Sequence, residues 1–213
     1  MTLQFAPGEC VQIDWGSWGT IAVGSTWRKL YFFVAVLCYS RMLYVEFTLS
    51  RGQEQFLQCH QNAFQFFGGV PESAMIDNCK TAVLDRPFGQ PPVFNPRYLD
   101  FANHYGFKIR ACGVRQAHEK GRVENAVGFV KHNFLRGLEL PPWAGLNPAA
   151  RHWLETIANI LEQRARPVPQ PGPLHLTRAP DLLELELPEP DLSVYQTDPR
   201  PPNDNTNTNT NTK

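Results

Sequence analysis

The sequence of 213 residues has little of what marks several common classes of protein. Its five cysteines are odd in number and show no short paired spacing: Cys10, Cys38, Cys59, Cys79 and Cys112. That pattern indicates neither a disulfide framework nor a zinc site, and it predicts a cytoplasmic protein. The most apolar segment, residues 30–38, is far shorter than the roughly 20 residues that cross a bilayer. The N-terminus also lacks a basic stretch followed by an apolar run, so we expect no export signal and no membrane partner.

Net charge is also absent, because 20 Lys and Arg residues balance 20 Asp and Glu residues. The charges are unevenly distributed, however. Residues 107–136 contain seven basic and two acidic side chains, which is a net charge of +5, whereas residues 181–198 contain six acidic side chains and no basic one. A nucleic-acid partner is therefore predicted to bind the first segment and not the second.

Three further motifs are missing from the sequence: a glycine-rich phosphate loop followed by Lys, a Gly-x-Ser-x-Gly elbow and an HExxH helix. What the sequence does contain is an alternation of extended and helical patterns. Strands are predicted at residues 9–15, 29–39, 42–49, 73–76 and 107–112, and helices at 50–67, 95–104, 119–136 and 148–166. This order predicts an α/β fold with a mixed sheet and helices on its faces.

Three carboxylates stand out by their position. Asp14 and Asp77 each lie at the predicted end of an apolar strand. Gly16 and Gly19 predict a turn after Asp14, and a loop is predicted after Asp77. Glu124 lies early on a helix that follows a basic loop. If the three side chains converge, they repel one another unless a hard cation such as Mg²⁺ or Mn²⁺ neutralises them. Each also has an ordinary interpretation, since Asp caps turns and Glu in a first helical turn favours the helix dipole.

Three segments carry a family resemblance: VQIDWG (11–16), MIDNCKTAV (75–83) and AHEKGRVENAV (117–127). They resemble the signature segments of DDE integrase-type transposases, most closely the IstA-like insertion-sequence group, which operates with an AAA+ ATPase helper. The resemblance implies an RNase H-like mixed five-stranded sheet flanked by helices. It also implies that Asp14, Asp77 and Glu124 are the catalytic residues and hold two Mg²⁺ or Mn²⁺ ions.

The same resemblance suggests DNA-binding residues. Lys131 matches a basic position that touches DNA near the scissile phosphate in related integrases, and Asn78 follows the second aspartate as is typical. His118 belongs to the third motif and would shape the metal site or contact a phosphate. The other candidates for phosphate contacts are Lys120, Arg122, Arg115 and Arg110. Each basic residue has the alternative role of a solvated surface charge, and His118 that of a helix cap.

By resemblance, the function is metal-dependent cleavage and transfer of DNA strands in transposition. The partners are transposon ends and target DNA, bound by a homo-multimer at the bacterial nucleoid. Two alternatives remain open: a truncated, non-catalytic remnant that binds DNA or intact transposase, and an RNase H-like nuclease that cleaves without joining. Full-length relatives carry helix-turn-helix domains before the core and a small β-domain after it, so the sequence does not establish whether this chain recognises specific transposon ends.

The resemblance and the composition together predict the domain limits. The resemblance implies a catalytic core at residues 1–140, and the pattern beyond it predicts a helical extension at 141–167, a proline-rich and acidic segment at 168–198 and an Asn/Thr-rich tail at 199–213. The tail is expected to be disordered, because it cannot bury enough apolar area to offset the entropy of ordering.

Overall fold

The computed structural model describes residues 5–76, 81–87, 90–112, 117–136 and 140–160, with the backbone alone for 117–120. The strands are β1 (Val11–Val23), β2 (Thr26–Leu37), β3 (Leu43–Thr48), β4 (Ser73–Ile76), β5 (Val83–Asp85), β6 (Val93–Phe94) and β7 (Lys108–Ala111). The helices are α1 (Gln53–Phe67), α2 (Pro96–Tyr105), α3 (Ala117–Phe129) and α4 (Trp143–Trp153). Two of them continue as π-helical segments, α3 over Val130–Leu135 and α4 over Leu154–Ala158.

Five of the strands form one mixed sheet in the order β3-β2-β1-β4-β7. The first three pair antiparallel, because short links join them, whereas β1, β4 and β7 pair parallel through helical crossovers. The predicted α/β fold with a mixed five-stranded sheet is therefore confirmed.

Helices cover both faces of this sheet. On one face, α1 and α2 pack through aromatic rings, with Phe33 of β2 against Phe56 and His60 against Tyr98. On the other face, the ring of Phe134 lies between Phe47 of β3 and Trp153 of α4. The residues of β2 from Phe32 to Leu37 are buried, as expected for a strand covered on both sides.

The predicted end of the first strand is wrong. β1 runs on through Gly16 and Gly19 to Val23, so that Asp14 lies inside the strand. Gly16 lets the Phe32 ring pack directly on the backbone of β1, since a Cβ atom on residue 16 would lie 2.0 Å from that ring. Gly19 has a φ of +46° at a register shift between Ser17 and Thr20, which is a bulge and not a turn.

The last helix also differs from its prediction. It begins at Trp143, five residues before Pro148, which lies inside the helix. Its buried side includes Leu146, Trp153, Leu154 and Ala158. The helical spacing of Trp153, Leu154, Ile157, Ile160 and Leu161 predicts one apolar stripe. That prediction is only partly right, because Ile157 and Ile160 are exposed and Leu161 lies outside the described residues. The π-helical segment explains the change, since its wider turn shifts the buried face by about one residue.

Smaller differences occur at other boundaries. α1 begins after Gly52 and not at Ser50, whose hydroxyl instead accepts a hydrogen bond from the Gly52 N–H at 3.0 Å. Residues 85–96, predicted as loop, contribute to a two-stranded sheet of β5 and β6. The Asn95 cap of α2 is confirmed, because its side chain accepts from the Arg97 N–H at 3.0 Å.

In the described part of the chain, no helix is both long and apolar enough to cross a membrane. Cys10, Cys38, Cys59 and Cys112 are buried in that part of the chain, and Cys79 lies outside it.

Candidate active site

The predicted catalytic residues begin with Asp14, which lies on the central strand β1. Its side chain is half-buried, and its Oδ1 accepts a hydrogen bond from the Trp15 N–H at 2.8 Å. Asp14 pairs with Val34 of β2. In the parallel ladder on the other side of β1, Ile13 pairs with Ile76, the last residue of β4. Asp77, the second predicted carboxylate, follows Ile76 directly but lies outside the described residues, as does Asn78.

Glu124 lies on α3, where its side chain is exposed to solvent. The neighbouring Val123 is buried against the sheet, so this turn of the helix is fixed on β1 and β2. Lys131 lies beyond it on the π-helical segment and is half-buried. The described part of the chain thus contains two of the three predicted carboxylates, and within it no group of three or more His, Cys, Asp or Glu side chains forms a metal site.

A buried glutamine connects these segments. Gln12 is fully buried on β1, two residues before Asp14 and therefore on the same face of the strand. Its Oε1 accepts from the backbone N–H of Val123 at 3.2 Å, and its Nε2 lies 3.7 Å from the sulfur of Met75 on β4. One side chain thereby contacts the residue before Glu124 and the residue two before Asp77.

Arg86 contributes a positive charge near the same end of the sheet. Its guanidinium donates to the carbonyl oxygens of Cys112 and Ala111, which end β7. Ala111 pairs with Ile76. The charge of Arg86 therefore lies beside the strand end that leads to Asp77, where it would attract carboxylates or phosphates.

Arg122 lies on a different side of α3 from Glu124. Two residues on an α-helix are about 200° apart around the axis, and Arg122 stacks its guanidinium 4.7 Å from the ring centroid of Phe5. It also lines a cavity of about 340 Å³ together with Arg41, Asn125 and apolar side chains of β2, β3 and α3. Arg122 therefore does not share the Glu124 side of the helix that its place in the motif suggested.

The other DNA-binding candidates are only partly described. Arg115 lies outside the described residues, and only the backbone of His118 and Lys120 is described. Arg110 lies on β7 and forms an ion pair with Glu9 at 3.8 Å. Trp15, beside Asp14, contacts the rings of Phe33 and Phe56 and so packs in the core.

Comparison with known proteins identifies the family. The model of the integrase core domain family matches residues 5–117, more than half of the chain. The chain belongs to the integrase core domain family. The resemblance of the three motifs to integrase-type transposases is thereby confirmed.

Relatives of this integrase core occur in insertion sequences. A protein of the element IS5376 from Geobacillus stearothermophilus is 38% identical over 153 residues, which cover 72% of this chain and 38% of the relative. The transposase of the element IS21 from Pseudomonas aeruginosa is 34% identical over 159 residues, which cover 74% of this chain and 40% of the relative. The chain thus spans about two fifths of the length of these relatives.

Solved structures show the same fold. An intasome of simian T-cell lymphotropic virus aligns with 78% of this chain and 59% of the matched chain, at a TM-score of 0.51 and 14% identity. The catalytic core domain of HTLV-2 integrase, solved with magnesium, aligns with 70% of this chain and 84% of the matched chain, at a TM-score of 0.50 and 19% identity. At these identities the likeness concerns the fold alone.

Sequence reasoning missed Gln12 and Arg86 in this integrase core. Gln12 lies among the alternating Val11, Ile13 and Trp15, a pattern that gives a polar residue no special role. In the observed sheet β1 is the central strand and both of its faces are covered, which buries Gln12. No sequence pattern indicated that Arg86 reaches the end of β7.

Proposed function

We propose that this chain carries the catalytic core of a DDE-type transposase, which cleaves DNA strands and joins them to a target. The observation that carries the proposal is the set of Gln12 contacts, because they tie together the segments that contain Asp14, Asp77 and Glu124. Family membership supports the same activity, since curated relatives are transposases of insertion sequences.

The parallel pairing of β1 and β4 supports a shared site for the two aspartates. Ile13 and Ile76 are register partners, and each directly precedes one of them. Asp77 follows Ile76 by one peptide unit, so their Cα atoms are about 3.8 Å apart. Asp77 is thus one residue beyond the end of the strand that lies next to the Asp14 strand. Glu124 follows Val123, whose N–H donates to the Gln12 side chain. This bond supports the location of Glu124 near the same end of the sheet, on helix α3.

The residues fit divalent metal ions in their chemistry. Asp14, Asp77 and Glu124 offer the hard carboxylate oxygens that Mg²⁺ and Mn²⁺ prefer, and the HTLV-2 integrase core was solved with magnesium. Two ions held there would supply activation of the attacking oxygen and stabilisation of the leaving oxygen of a phosphodiester. The chain itself fixes the position of the carboxylates: the sheet holds Asp14, and the Gln12 bond holds the turn of α3 that carries Glu124.

DNA is the proposed substrate, as transposon ends and as target. Asn78 and, within the basic segment, Lys131, Lys120, Arg115 and His118 are proposed to contact it near the carboxylates, whereas Arg122 would do so from the other side of α3. This proposal also includes a homo-multimer on DNA, an AAA+ ATPase helper and location at the nucleoid. The four domains predicted from the sequence are part of it as well. The intasome among the structural neighbours is a multi-subunit assembly of integrase, which supports the multimer.

The test is a strand-transfer assay with Mn²⁺ that compares the wild type with Glu124→Gln. A labelled duplex with the ends of the source element, incubated with supercoiled target DNA, should give joined product only with the wild type. The variant should lose at least about 100-fold in rate, because one side of the metal site loses its charge. Asp100→Asn, on the far helix α2, removes a carboxylate outside the proposed site and serves as the control.

Three outcomes would separate the candidate functions. Joined product that depends on Glu124 supports the transposase core. Cleavage without joining would instead indicate a nuclease, and DNA binding with equal inactivity of the wild type and the variant would indicate a non-catalytic remnant.

A further inference from the structure

The hairpin of β1 and β2 extends beyond the rest of the central sheet. β3 pairs with β2 only from Tyr31 to Val36, and β4 pairs with β1 only from Val11 to Ile13. Residues 20–23 of β1 and 26–29 of β2 pair with each other and, among the described strands, with no third one. This outer part of the hairpin is a two-stranded ribbon, which ends at a turn where Gly24 has a φ of +58°.

The two faces of the ribbon differ in exposure. One face carries Ile21 and Leu30, which are buried at 6% and 0% exposure. The opposite face carries Trp27, whose side chain is 73% exposed, the highest value among the large hydrophobic side chains of the described residues. An exposed tryptophan leaves a large apolar surface in contact with water, which is unfavourable. Such exposure therefore suggests that a partner covers this face.

Basic side chains flank the exposed tryptophan. Lys29 lies on the same face as Trp27, two residues further along β2, and its Nζ is 5.6 Å from the ring centroid of Tyr31. The guanidinium carbon of Arg51, just before α1, is 4.7 Å from the same ring. No carboxylate of the described residues pairs with Lys29 or Arg51 within 4.0 Å, since the ion pair found there joins Arg110 and Glu9. We name Trp27, Lys29, Tyr31 and Arg51 the ribbon strip.

We propose that the ribbon strip is a second DNA-binding surface, separate from the metal site. The inference rests on the proposed function, because that function makes DNA the partner, and it adds where the duplex is held. Cations on the strip would neutralise phosphates, and the exposed indole would stack its face on the sugar edge of the groove. A two-stranded ribbon also has the width that the major groove of B-DNA accepts.

The ribbon strip and the carboxylates lie on opposite faces of the sheet. Asp14 pairs with Val34, and Trp27 lies seven residues further along the same strand. Because side chains alternate along a strand, an odd separation puts Trp27 on the face opposite Asp14. At about 3.3 Å per residue, the separation along the strand is roughly 23 Å. The strip would therefore bind DNA apart from the metal site.

The experiment measures the binding of a fluorescent 30-base-pair duplex by anisotropy in EDTA, over a series of salt concentrations. The assay uses the full chain with Glu124→Gln in the background, so that neither metal nor catalysis contributes. The test variants are Trp27→Ala, Lys29→Gln and Arg51→Gln. The matched controls are Leu99→Ala, a partly exposed apolar residue of α2, and Arg97→Gln, an exposed arginine of the same helix.

We expect Trp27→Ala to weaken binding about 10-fold with little change in the salt dependence, because stacking is not ionic. Lys29→Gln and Arg51→Gln should each lower the slope of log K against log salt by about 0.9, the value for one lost phosphate contact. The control variants should match the parent protein. All test positions are partly or fully exposed, so unchanged thermal unfolding should accompany the loss of binding.

Equal affinity and equal slope in the test and control variants would overturn the proposal. So would sedimentation that shows self-association lost in Trp27→Ala with unchanged DNA affinity, because the strip would then bind a second copy of the chain. Failure of strand transfer in the wild type would contradict the proposed function only, since this assay requires no catalysis.

Discussion

At the scale of single residues, His60 is a titratable group whose pKa burial perturbs. It is fully buried between α1 and α2, where its Nδ1–H donates to the Phe56 carbonyl oxygen at 2.7 Å and its Nε2 accepts from the Tyr98 hydroxyl at 3.0 Å. Burial lowers the pKa of His60 from 6.5 to about 4, although the bond to Phe56 opposes this shift. His60 is therefore neutral in the folded protein at pH 7.

The protein should lose stability on acidification because of this residue. Below pH 6.5 the unfolded chain binds a proton at His60 that the folded chain does not bind until the pH approaches 4. The free energy of unfolding should thus fall between these two values, by about 3 kcal/mol from this group alone, and level off below them. Urea unfolding at several pH values measures the effect. His60→Gln, which does not titrate, should show a flatter curve, and parallel curves for the two proteins would contradict the assignment.

The residues that sequence could and could not identify differ in what they contact. Asp14, Asp77 and Glu124 belong to short motifs, so local sequence was sufficient to single them out. The role of Gln12 depends on Val123 and Met75, which are 111 and 63 positions away. No local pattern encodes such a contact, and it became apparent only once the strands were ordered.

At the scale of elements, two asparagines cover the outer edge of β3. The Asn147 amide of α4 accepts from the Phe47 N–H at 2.7 Å and donates to the Phe47 carbonyl at 3.0 Å. Asn159 forms the same pair of bonds with Leu43, at 2.8 and 3.2 Å. Each side chain therefore replaces one residue of a missing neighbouring strand, and together they shield an edge that would otherwise favour aggregation.

Removing these amides should destabilise the fold. Asn147→Ala and Asn159→Ala each leave an N–H and a carbonyl of β3 without a protein partner, at a cost of about 2 kcal/mol. Chemical denaturation measures this loss, and Asn103→Ala on the exposed side of α2 provides the control. The double variant should also self-associate at increasing concentration in sedimentation experiments. If the variants are as stable and as monodisperse as the control, the two asparagines do not protect the outer edge of β3.

Element types were largely predictable, whereas some limits were not. The uniform apolar run of β2 and the Asn95 cap of α2 are local signals, and both predictions are confirmed. Gly16 misled the prediction of β1, because glycine required by the nearby Phe32 ring looks the same in sequence as glycine required by a turn. Pro148 misled the start of α4, since burial of Leu146 and the Asn147 bonds outweigh the usual preference of proline for the first turn.

At the scale of the whole molecule, the fold could be anticipated because the family resemblance implied an RNase H-like mixed five-stranded sheet flanked by helices. Local pattern alone gives strands and helices but not their neighbours, which depend on contacts distant in sequence. The small sheet of β5 and β6 escaped prediction, because strands of three and two residues are too short to show a period.

Divalent ions should raise the stability of the whole domain if the proposed carboxylate site exists. A ligand at 100 times its dissociation constant stabilises the folded state by about 2.7 kcal/mol, which for a domain of this size raises Tm by roughly 5 to 10 °C. Mn²⁺ should therefore raise Tm in the wild type and much less in Asp14→Asn. Thermal unfolding with and without EDTA measures the shift. An identical response in both proteins would place the ion elsewhere.

The Gln12 bond to Val123 provides a natural probe of local opening. An amide proton held by a side chain in the interior exchanges with solvent only when α3 lifts from β1, whereas the exposed turns of the same helix can fray independently. The deuterium uptake of the Val123 amide would therefore report how often the segment that carries Glu124 detaches from the sheet. The measurement resolves single residues in solution and needs neither metal nor DNA.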